Sequence, residues 1–187
     1  MSTVVEARGL VRRYLADGSS IRAVDGVDLV VEAGETVSVM GPSGCGKSTL
    51  LHLLGGLERP DAGELRLGGR RVDGFSETAW AIFRRRNVGF VFQAFHLVDE
   101  LTAVENVELP ALLLGVPRRD ARRRAMDLLE RLAVPLGDGE GESRLSLGDG
   151  LVVAARRASA AAARYVWTSP RKPARCDGPC TTYLVWE

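Results

Sequence analysis

The chain has 187 residues, of which 45% are apolar and 26% charged, and its formal net charge is +1. This length and composition predict one globular domain, and the near-neutral charge gives no reason to expect nucleic acid as a partner. No apolar run approaches the roughly 18 residues of a membrane span, the N-terminus lacks the features of a signal peptide, and three cysteines do not suggest a disulfide framework. We therefore expect a cytosolic chain whose membrane link, if it has one, comes through a partner.

Strands and helices alternate along the first two thirds of the sequence. Apolar or β-branched runs predict strands at 4–10, 27–31, 36–40, 63–67 and 88–92, and segments with helical spacing predict helices at 48–54, 76–85, 102–114 and 118–132. The short run at 36–40 is typical of a buried strand. This alternation predicts an α/β fold around a largely parallel sheet. From residue 135 the spacing is lost, and the tail from residue 168 holds three prolines and no clear period.

A complete phosphate-binding motif lies between the third predicted strand and the first predicted helix. Lys47 should reach the β- and γ-phosphates of a nucleotide, while Ser48 offers its hydroxyl to Mg²⁺. Glycines let backbone N–H groups close around phosphate oxygens, and the helix that follows aims its positive end at them. A chance glycine-rich turn is disfavoured because a strand precedes the motif and a helix follows it. The motif fits G-x-x-x-x-G-K-[ST] and continues into the helix with Gly41, Pro42, Ser43, Gly44, Cys45, Gly46, Lys47, Ser48 and Thr49.

Several segments around this motif resemble the ATP-binding subunits of ABC transporters. They lie at 10–14, 23–29, 34–37, 57–64, 88–93 and 101–107. Within that family the sequence is most similar to the lipoprotein-release and macrolide-export branch, over residues 3–135. The resemblance implies a P-loop NTPase core with an N-terminal antiparallel β subdomain and a truncated central sheet. A small P-loop kinase is the weaker alternative, because no lid or acceptor site is evident.

The same resemblance implies an ATP-hydrolysing subunit that powers an integral-membrane permease. Its cofactors would be ATP and Mg²⁺, and two copies would form a homodimer that sandwiches two ATP molecules. The chain would lie in the cytoplasm on the inner face of the cell membrane, attached through the permease. Nucleic acid is not expected as a partner.

The resemblance also assigns roles to single residues. Tyr14 matches the aromatic residue that stacks on adenine, although it could be an ordinary tyrosine at a sheet edge. Gln93 matches the glutamine that contacts Mg²⁺ and the attacking water, although it could be a solvated residue at a strand end. Lys47 and Gln93 would then act in catalysis, and Ser48 and Gln93 would hold the metal. The two histidines match no catalytic position and are expected to serve packing or the surface: His52 and His96.

The C-terminal third departs from the family pattern at its signature. The family sequence Leu-Ser-Gly-Gly-Gln, which grips ATP held by the partner subunit, corresponds to residues 145–149. Ser146 and Gly148 match it. Leu147 replaces a glycine that lets the backbone approach phosphate, and Asp149 adds negative charge there. Both changes are expected to weaken the grip.

The family's catalytic carboxylates are also missing from the later sequence. No Asp-Glu pair follows the signature segment, and no histidine follows His96. The resemblance therefore implies that the Mg²⁺-binding Asp, the general-base Glu and the switch histidine are lacking. A positioned general base contributes about 10²–10⁴-fold, so we expect hydrolysis to be severely impaired. Without the strand that carries the pair, apolar surface beside the phosphate-loop strand should be open to water.

The genetic code offers an explanation for the departure. Codons for the segment 166–171, read from the third base of the Val166 codon, permit Asp-Glu-Pro-Thr, and the Asp is forced by the Trp167 and Thr168 codons. We therefore hypothesise a frameshift between Ser159 and Val166. The predicted organisation is an ATPase core at 1–144 and a degenerate signature region with an aberrant tail at 145–187. Two functions stay open: a transport ATPase subunit, or a nucleotide-binding remnant without turnover.

Overall fold

The computed structural model describes residues 2–16, 18–91, 97–98, 100–131, 165–167 and 180–185. The chain divides into two compact units, one of Met1–Arg84 with Val166–Glu187 and the other of Arg85–Tyr165. No helix within the described ranges is both long and apolar enough to cross a membrane. The strands are β1 Thr3–Ala16, β2 Ser19–Glu32, β3 Thr36–Gly41, β4 Ala62–Leu67, β5 Arg70–Arg71, β6 Gly89–Val91, β7 Tyr165–Trp167 and β8 Cys180–Val185. The helices are α1 Lys47–Leu54, α2 Glu77–Asn87, α3 Ala103–Leu113 and α4 Arg118–Glu130.

The first unit contains the expected N-terminal antiparallel β subdomain. Its sheet has the order β2-β1-β4-β5, and β1 pairs with β2 from Thr3 opposite Glu32 to Ala16 opposite Ser19. Both strands are longer than the sequence predicts. Their outer halves carry exposed apolar side chains such as Leu15, so the alternation that marks a half-buried strand is weak there. Pairing between the two strands, rather than burial, accounts for the additional length.

The core of this unit lies under β1, β4 and α2. Val5, Leu10 and Leu65 are buried, and so is Trp80 of α2. A methyl group on Gly56 would lie 2.1 Å from the Trp80 ring, so the absence of a side chain at Gly56 lets the indole pack against the chain just after α1. The sequence pattern predicts helix α2 correctly but does not indicate that Trp80 packs against Gly56.

The second sheet differs from the expected parallel arrangement. β3, β8 and β7 lie side by side in that order, and β3 pairs antiparallel with β8 from Thr36 opposite Val185 to Gly41 opposite Cys180. All strand pairings with a defined register in the described part of the chain are antiparallel. The expectation of a largely parallel sheet was therefore wrong for these strands, because the neighbour of β3 comes from the distant tail rather than from a β-α-β connection.

One further expectation about β3 was wrong, and another agrees with the structure. β8 pairs along the whole length of β3, but β3 is the terminal strand of the described sheet and its exposed Met40 agrees with the expectation of apolar surface open to water. The expectation of a buried strand was wrong. No residue of β3 is buried, because half-buried and exposed positions alternate along it and Met40 is 65% exposed. Only one face of the strand is partly covered. The segment Cys-Thr-Thr-Tyr-Leu-Val is rich in strand formers, and that signal in the tail was missed.

The second unit contains two helices that pack against each other. α3 begins with a capping box, in which the Thr102 hydroxyl accepts from Glu105 N and the Glu105 carboxylate accepts from Thr102 N at 2.9 Å. The hydrogen bond from Thr102 N, together with one from the Thr102 hydroxyl at 3.0 Å, lowers the pKa of the Glu105 carboxyl. The predicted helices at 102–114 and 118–132 are confirmed to within a few residues. One cluster of buried apolar side chains joins the two helices, and it consists of Ala103, Val104, Val107, Ala125, Leu128 and Leu129.

Candidate nucleotide-binding site

The phosphate loop connects β3 to α1, and its backbone depends on glycine at two positions. Gly44 and Gly46 have φ angles of +80° and +91°, a left-handed region that other residues enter only with strain. A methyl group on Gly46 would also lie 1.9 Å from the carbonyl oxygen of Ala23. Because that oxygen belongs to strand β2, it cannot move aside cheaply. Gly46 therefore lets the loop approach the sheet as closely as it does.

The first turn of α1 presents backbone donors that have no partner inside the helix. Gly46 is the N-cap and carries no side chain to cap the helix. The first helical hydrogen bond runs from Leu50 N to Gly46 O at 2.9 Å, so the N–H groups of Lys47, Ser48 and Thr49 precede it. Such groups, together with the helix dipole, favour an anion at this end of the helix.

Lys47 points its ammonium group into the loop itself. Its Nζ donates to Gly41 O at 2.8 Å and to Pro42 O at 2.6 Å, and it lies 3.6 Å from Cys45 Sγ. Both carbonyl oxygens are neutral acceptors. No carboxylate within the described ranges forms an ion pair with Lys47. The positive charge is therefore held at the loop without being neutralised, and a phosphate oxygen could replace either carbonyl as its partner.

The rest of the motif is open to solvent. Pro42, Ser43 and Gly44 are exposed, as is the free thiol of Cys45. Ser48 is exposed as well, and Thr49 is half-buried. A ligand can thus reach the predicted phosphate-binding residues without a change in the fold.

The residues fit a magnesium ion of the kind that nucleotides carry. Within the described residues, no group of three or more His, Cys, Asp or Glu side chains could hold a metal by itself. Mg²⁺ does not need such a cage, because it keeps several waters and takes phosphate oxygens together with one or two protein oxygens. The exposed hydroxyl of Ser48, next to Lys47, is a suitable protein oxygen.

Tyr14 lies near the end of β1 and is held by two neighbours. Its hydroxyl donates to the Glu58 carboxylate, and the guanidinium carbon of Arg12 lies 5.0 Å from its ring centroid. The ring is half-buried. Sequence reasoning missed both neighbours, although each falls inside a segment that carries the family resemblance. Three predicted site residues lie outside the described residues, and their roles stay predictions: Gln93, Ser146 and Gly148.

Glu58 receives hydrogen bonds from three side chains. Partial burial by itself would raise the pKa of Glu58, but hydrogen bonds from Tyr14, His52 and Arg12 outweigh it and hold the pKa below its ordinary value. The carboxylate is therefore charged near neutral pH. His52, which was expected to serve packing or the surface, lies with Nδ1 3.2 Å from Glu58 Oε1.

Comparisons with known proteins agree with this arrangement. The chain matches the family described as ABC transporter over residues 24–166. It is 41% identical over 155 residues to the lipoprotein-releasing system ATP-binding protein of Chromohalobacter salexigens, covering 83% of this chain and 65% of that protein. It is 44% identical over 131 residues to the macrolide export ATP-binding/permease protein of Sodalis glossinidius, covering 70% of this chain and 20% of that protein. The chain thus spans less than two thirds of the length of either relative.

A solved structure shares the fold. It is a dimeric ATP-binding cassette in a post-hydrolysis state bound to ADP and Pi, with a TM-score of 0.80 and 32% identity over 92% of this chain and 76% of the other. The resemblance in the sequence and the predicted α/β fold class are both confirmed. The chain belongs to the ABC transporter ATP-binding family.

Proposed function

We propose that the chain binds ATP with Mg²⁺ at the loop formed by residues 41–49. The observation that carries this proposal is the position of Lys47, whose ammonium group is held by the carbonyls of Gly41 and Pro42 at 2.8 and 2.6 Å. Backbone N–H groups at the start of α1 add partial positive charge at the same place. In the bound state, Lys47 would contact the β- and γ-phosphates while Ser48 contributes its hydroxyl to Mg²⁺.

The remaining site residues act on other parts of the nucleotide in this proposal. Tyr14 provides a surface for the adenine ring, and Gln93 contacts Mg²⁺ and the attacking water. Ser146 and Gly148 face ATP held by a second copy of the chain. Support for Tyr14 comes from its half-buried ring, which is tethered at the hydroxyl. The assignments of Gln93, Ser146 and Gly148 rest on the family resemblance.

The chain would serve as the ATP-binding subunit of a transporter. Two copies would close around two ATP molecules and drive a membrane permease from the cytoplasmic face. The name of one relative includes a permease together with the ATP-binding part, and the similar solved cassette is a dimer. These relatives support the proposal for a homodimer that works with a permease.

A second candidate function is a nucleotide-binding subunit with slow turnover. In the family, the strand next to the phosphate-loop strand is expected to carry the Asp-Glu pair that binds Mg²⁺ and acts as general base. Here the neighbour of β3 is β8, which runs in the opposite direction and contains neither Asp nor Glu. This arrangement supports ATP binding without efficient hydrolysis. Assays of phosphate release with and without Mg²⁺ distinguish the two candidates, since brisk turnover that requires Mg²⁺ would exclude the second.

Equilibrium binding of ATP to the full chain tests the proposal. We expect saturable binding by the wild type and at least tenfold weaker binding by Lys47→Ala, because the variant lacks the only side-chain charge in the loop. Arg123→Ala is the matched control, since it removes an exposed positive charge from α4. Equal binding by the wild type and Lys47→Ala, with both melting cooperatively, would contradict the proposed site.

A further inference from the structure

The first unit holds a cluster of side chains next to Tyr14 that the proposed function does not use. Glu58 lies at its centre. Its Oε2 accepts from the Tyr14 hydroxyl and from Arg12 Nε at 3.1 Å, and its Oε1 lies 3.2 Å from Nδ1 of His52. Asp61 extends the cluster, because its Oδ1 accepts from the Arg12 guanidinium at 3.0 Å. The cluster thus joins the end of β1 to the chain that follows α1.

The two edges of β1 near Tyr14 have different hydrogen-bonding partners. On one side β2 pairs with it to its end. Along the other edge the pairing with β4 stops at Val11, and beyond it carboxylate side chains accept the hydrogen bonds from β1. Asp61 Oδ2 accepts from the backbone N–H of Arg13 at 2.7 Å, and Glu58 accepts from the Tyr14 hydroxyl. The position of the Tyr14 ring on this side therefore depends on side-chain contacts.

Glu58 is in turn fixed to α1. The backbone N–H groups of Leu57 and Glu58 donate to the carbonyl of His52 at 2.8 and 3.2 Å, in addition to the contact between the His52 ring and the carboxylate. α1 begins at Lys47 and has eight residues, so it is about 12 Å long. One short helix thus links Glu58 directly to the phosphate loop.

Arg12 contacts one face of the Tyr14 ring. The guanidinium carbon lies 5.0 Å from the ring centroid, within the range of a cation–π contact. Arg12 is itself held by Glu58 and Asp61. With its hydroxyl tethered and one face against the guanidinium, the Tyr14 ring keeps one orientation, and a base would stack on its opposite face.

We propose that Glu58 is a positioning residue for the nucleotide base. Through α1 on one side and Tyr14 on the other, it holds the ring at a fixed distance from the phosphate loop, so that adenine and the phosphates are bound together. The inference rests on the proposed ATP site and on Tyr14 as the surface for adenine. It differs from a purely structural role, because loss of Glu58 weakens binding of the base and leaves binding of the phosphates unchanged.

Binding of two ligands to the full chain separates these roles. ATP uses both the base and the phosphate subsites, whereas inorganic tripolyphosphate with Mg²⁺ uses the phosphate loop alone. The variants are Glu58→Ala, which removes the carboxylate, and Tyr14→Phe, which keeps the ring but removes its hydroxyl. Glu77→Ala is the matched control, because Glu77 is also paired with an arginine at 3.2 Å but is 74% exposed on α2, outside the cluster.

A base-stacking contact contributes about five- to a hundredfold to affinity, so a misplaced ring should weaken ATP binding by part of that, about three- to tenfold. We expect this loss in Glu58→Ala and, to a similar or smaller extent, in Tyr14→Phe. Because the two residues act through one hydrogen bond, the double variant should lose less than the product of the two single losses. Tripolyphosphate binding should be unchanged throughout, and Glu77→Ala should bind both ligands like the wild type.

Two kinds of outcome overturn the inference. Equal weakening of ATP and tripolyphosphate in Glu58→Ala would assign Glu58 to the fold alone, as would losses that multiply in the double variant. Unchanged ATP binding in Glu58→Ala would also refute it. Should that variant fail to melt cooperatively, Tyr14→Phe decides, and wild-type ATP affinity in Tyr14→Phe overturns the proposal. Failure of the proposed function is distinguishable, because the wild type would then bind neither ligand.

Discussion

Replacing Gly46 by alanine tests the loop geometry more sharply than removing a charge. The added methyl group meets two obstacles: a φ angle of +91° and the Ala23 carbonyl oxygen at 1.9 Å. The left-handed backbone costs an L-residue about 1–2 kcal/mol, and forcing a methyl into filled space costs about 1–3 kcal/mol more. We therefore expect Gly46→Ala to lower the free energy of unfolding by about 2–5 kcal/mol, the sum of these two ranges.

Gly44→Ala is the matched control, because it meets only the first obstacle. Gly44 has a φ angle of +80°, and nothing lies within 4 Å of an added methyl group. Its expected cost is about 1–2 kcal/mol. Urea unfolding of both variants, with the wild type alongside, gives the difference, and ATP titration of the folded proteins gives the effect on binding. ATP affinity should fall further in Gly46→Ala, since the backbone N–H groups that follow it must move.

The comparison has a clear refuting result. Equal unfolding free energies and equal ATP affinities in the two variants would mean that the approach of Gly46 to Ala23 does not shape the loop. A smaller effect in Gly46→Ala than in Gly44→Ala would contradict the packing argument outright. A larger effect in Gly46→Ala confirms that the sheet, through β2, sets the position of the phosphate loop.

Three further predictions concern stability. Trp80→Ala should lower the free energy of unfolding by about 3–5 kcal/mol in urea titrations, because it empties a buried site against Gly56; a loss under about 1 kcal/mol would contradict the packing. Thr102→Ala should cost about 0.5–2 kcal/mol by removing the cap of α3, whereas Thr102→Ser should cost less, and equal losses would refute the capping role. The pKa of Glu58 is lowered in the folded state, so its carboxylate contributes to the free energy of unfolding above its unfolded pKa, and this contribution is lost as pH falls through the folded pKa. The free energy of unfolding should therefore fall less steeply on acidification in Glu58→Gln than in the wild type. Parallel curves of stability against pH for the two proteins would contradict this.

The phosphate loop could be predicted from the sequence because its chemistry is local. Gly41 to Thr49 are consecutive, and the glycines, Lys47 and Ser48 each have a physical reason to stand where they do. The capping box at Thr102 and Glu105 is local in the same way. The phosphate loop lies where the spacing of the motif places it, whereas the capping box is equally local in sequence but was not predicted.

The contacts that join distant parts of the chain could not be predicted in this way. Glu58 meets Tyr14 across 44 positions, and Cys180 lies opposite Gly41 across a far longer separation. Such pairs depend on the path of the whole chain, and no periodic pattern encodes them. The parallel sheet was expected for the same reason, since alternation of strands and helices describes neighbours in sequence and not neighbours in space.

The length of the β1–β2 hairpin could not be predicted from the sequence for a different reason. Leu15 and Ile21 are exposed although apolar, and each strand at these positions is stabilised by its partner strand rather than by a buried face. The alternation of buried and exposed residues that predicts a strand therefore ends before the strand itself ends.

The contact between Gly56 and Trp80 could not be predicted either, because Gly56 carries no side chain whose type could indicate it.

Amide hydrogen exchange of the full chain, measured with and without ATP and Mg²⁺, tests the central claim most directly. The account predicts slower exchange on adding ATP in two places, the loop and first turn at residues 43–49 and the end of β1 around Tyr14, with no change in α4. At an ATP concentration that just saturates the wild type, Lys47→Ala should show much weaker protection in both places. Protection confined to other parts of the chain, or no protection at saturating ATP, would contradict the assignment of this loop as the nucleotide site.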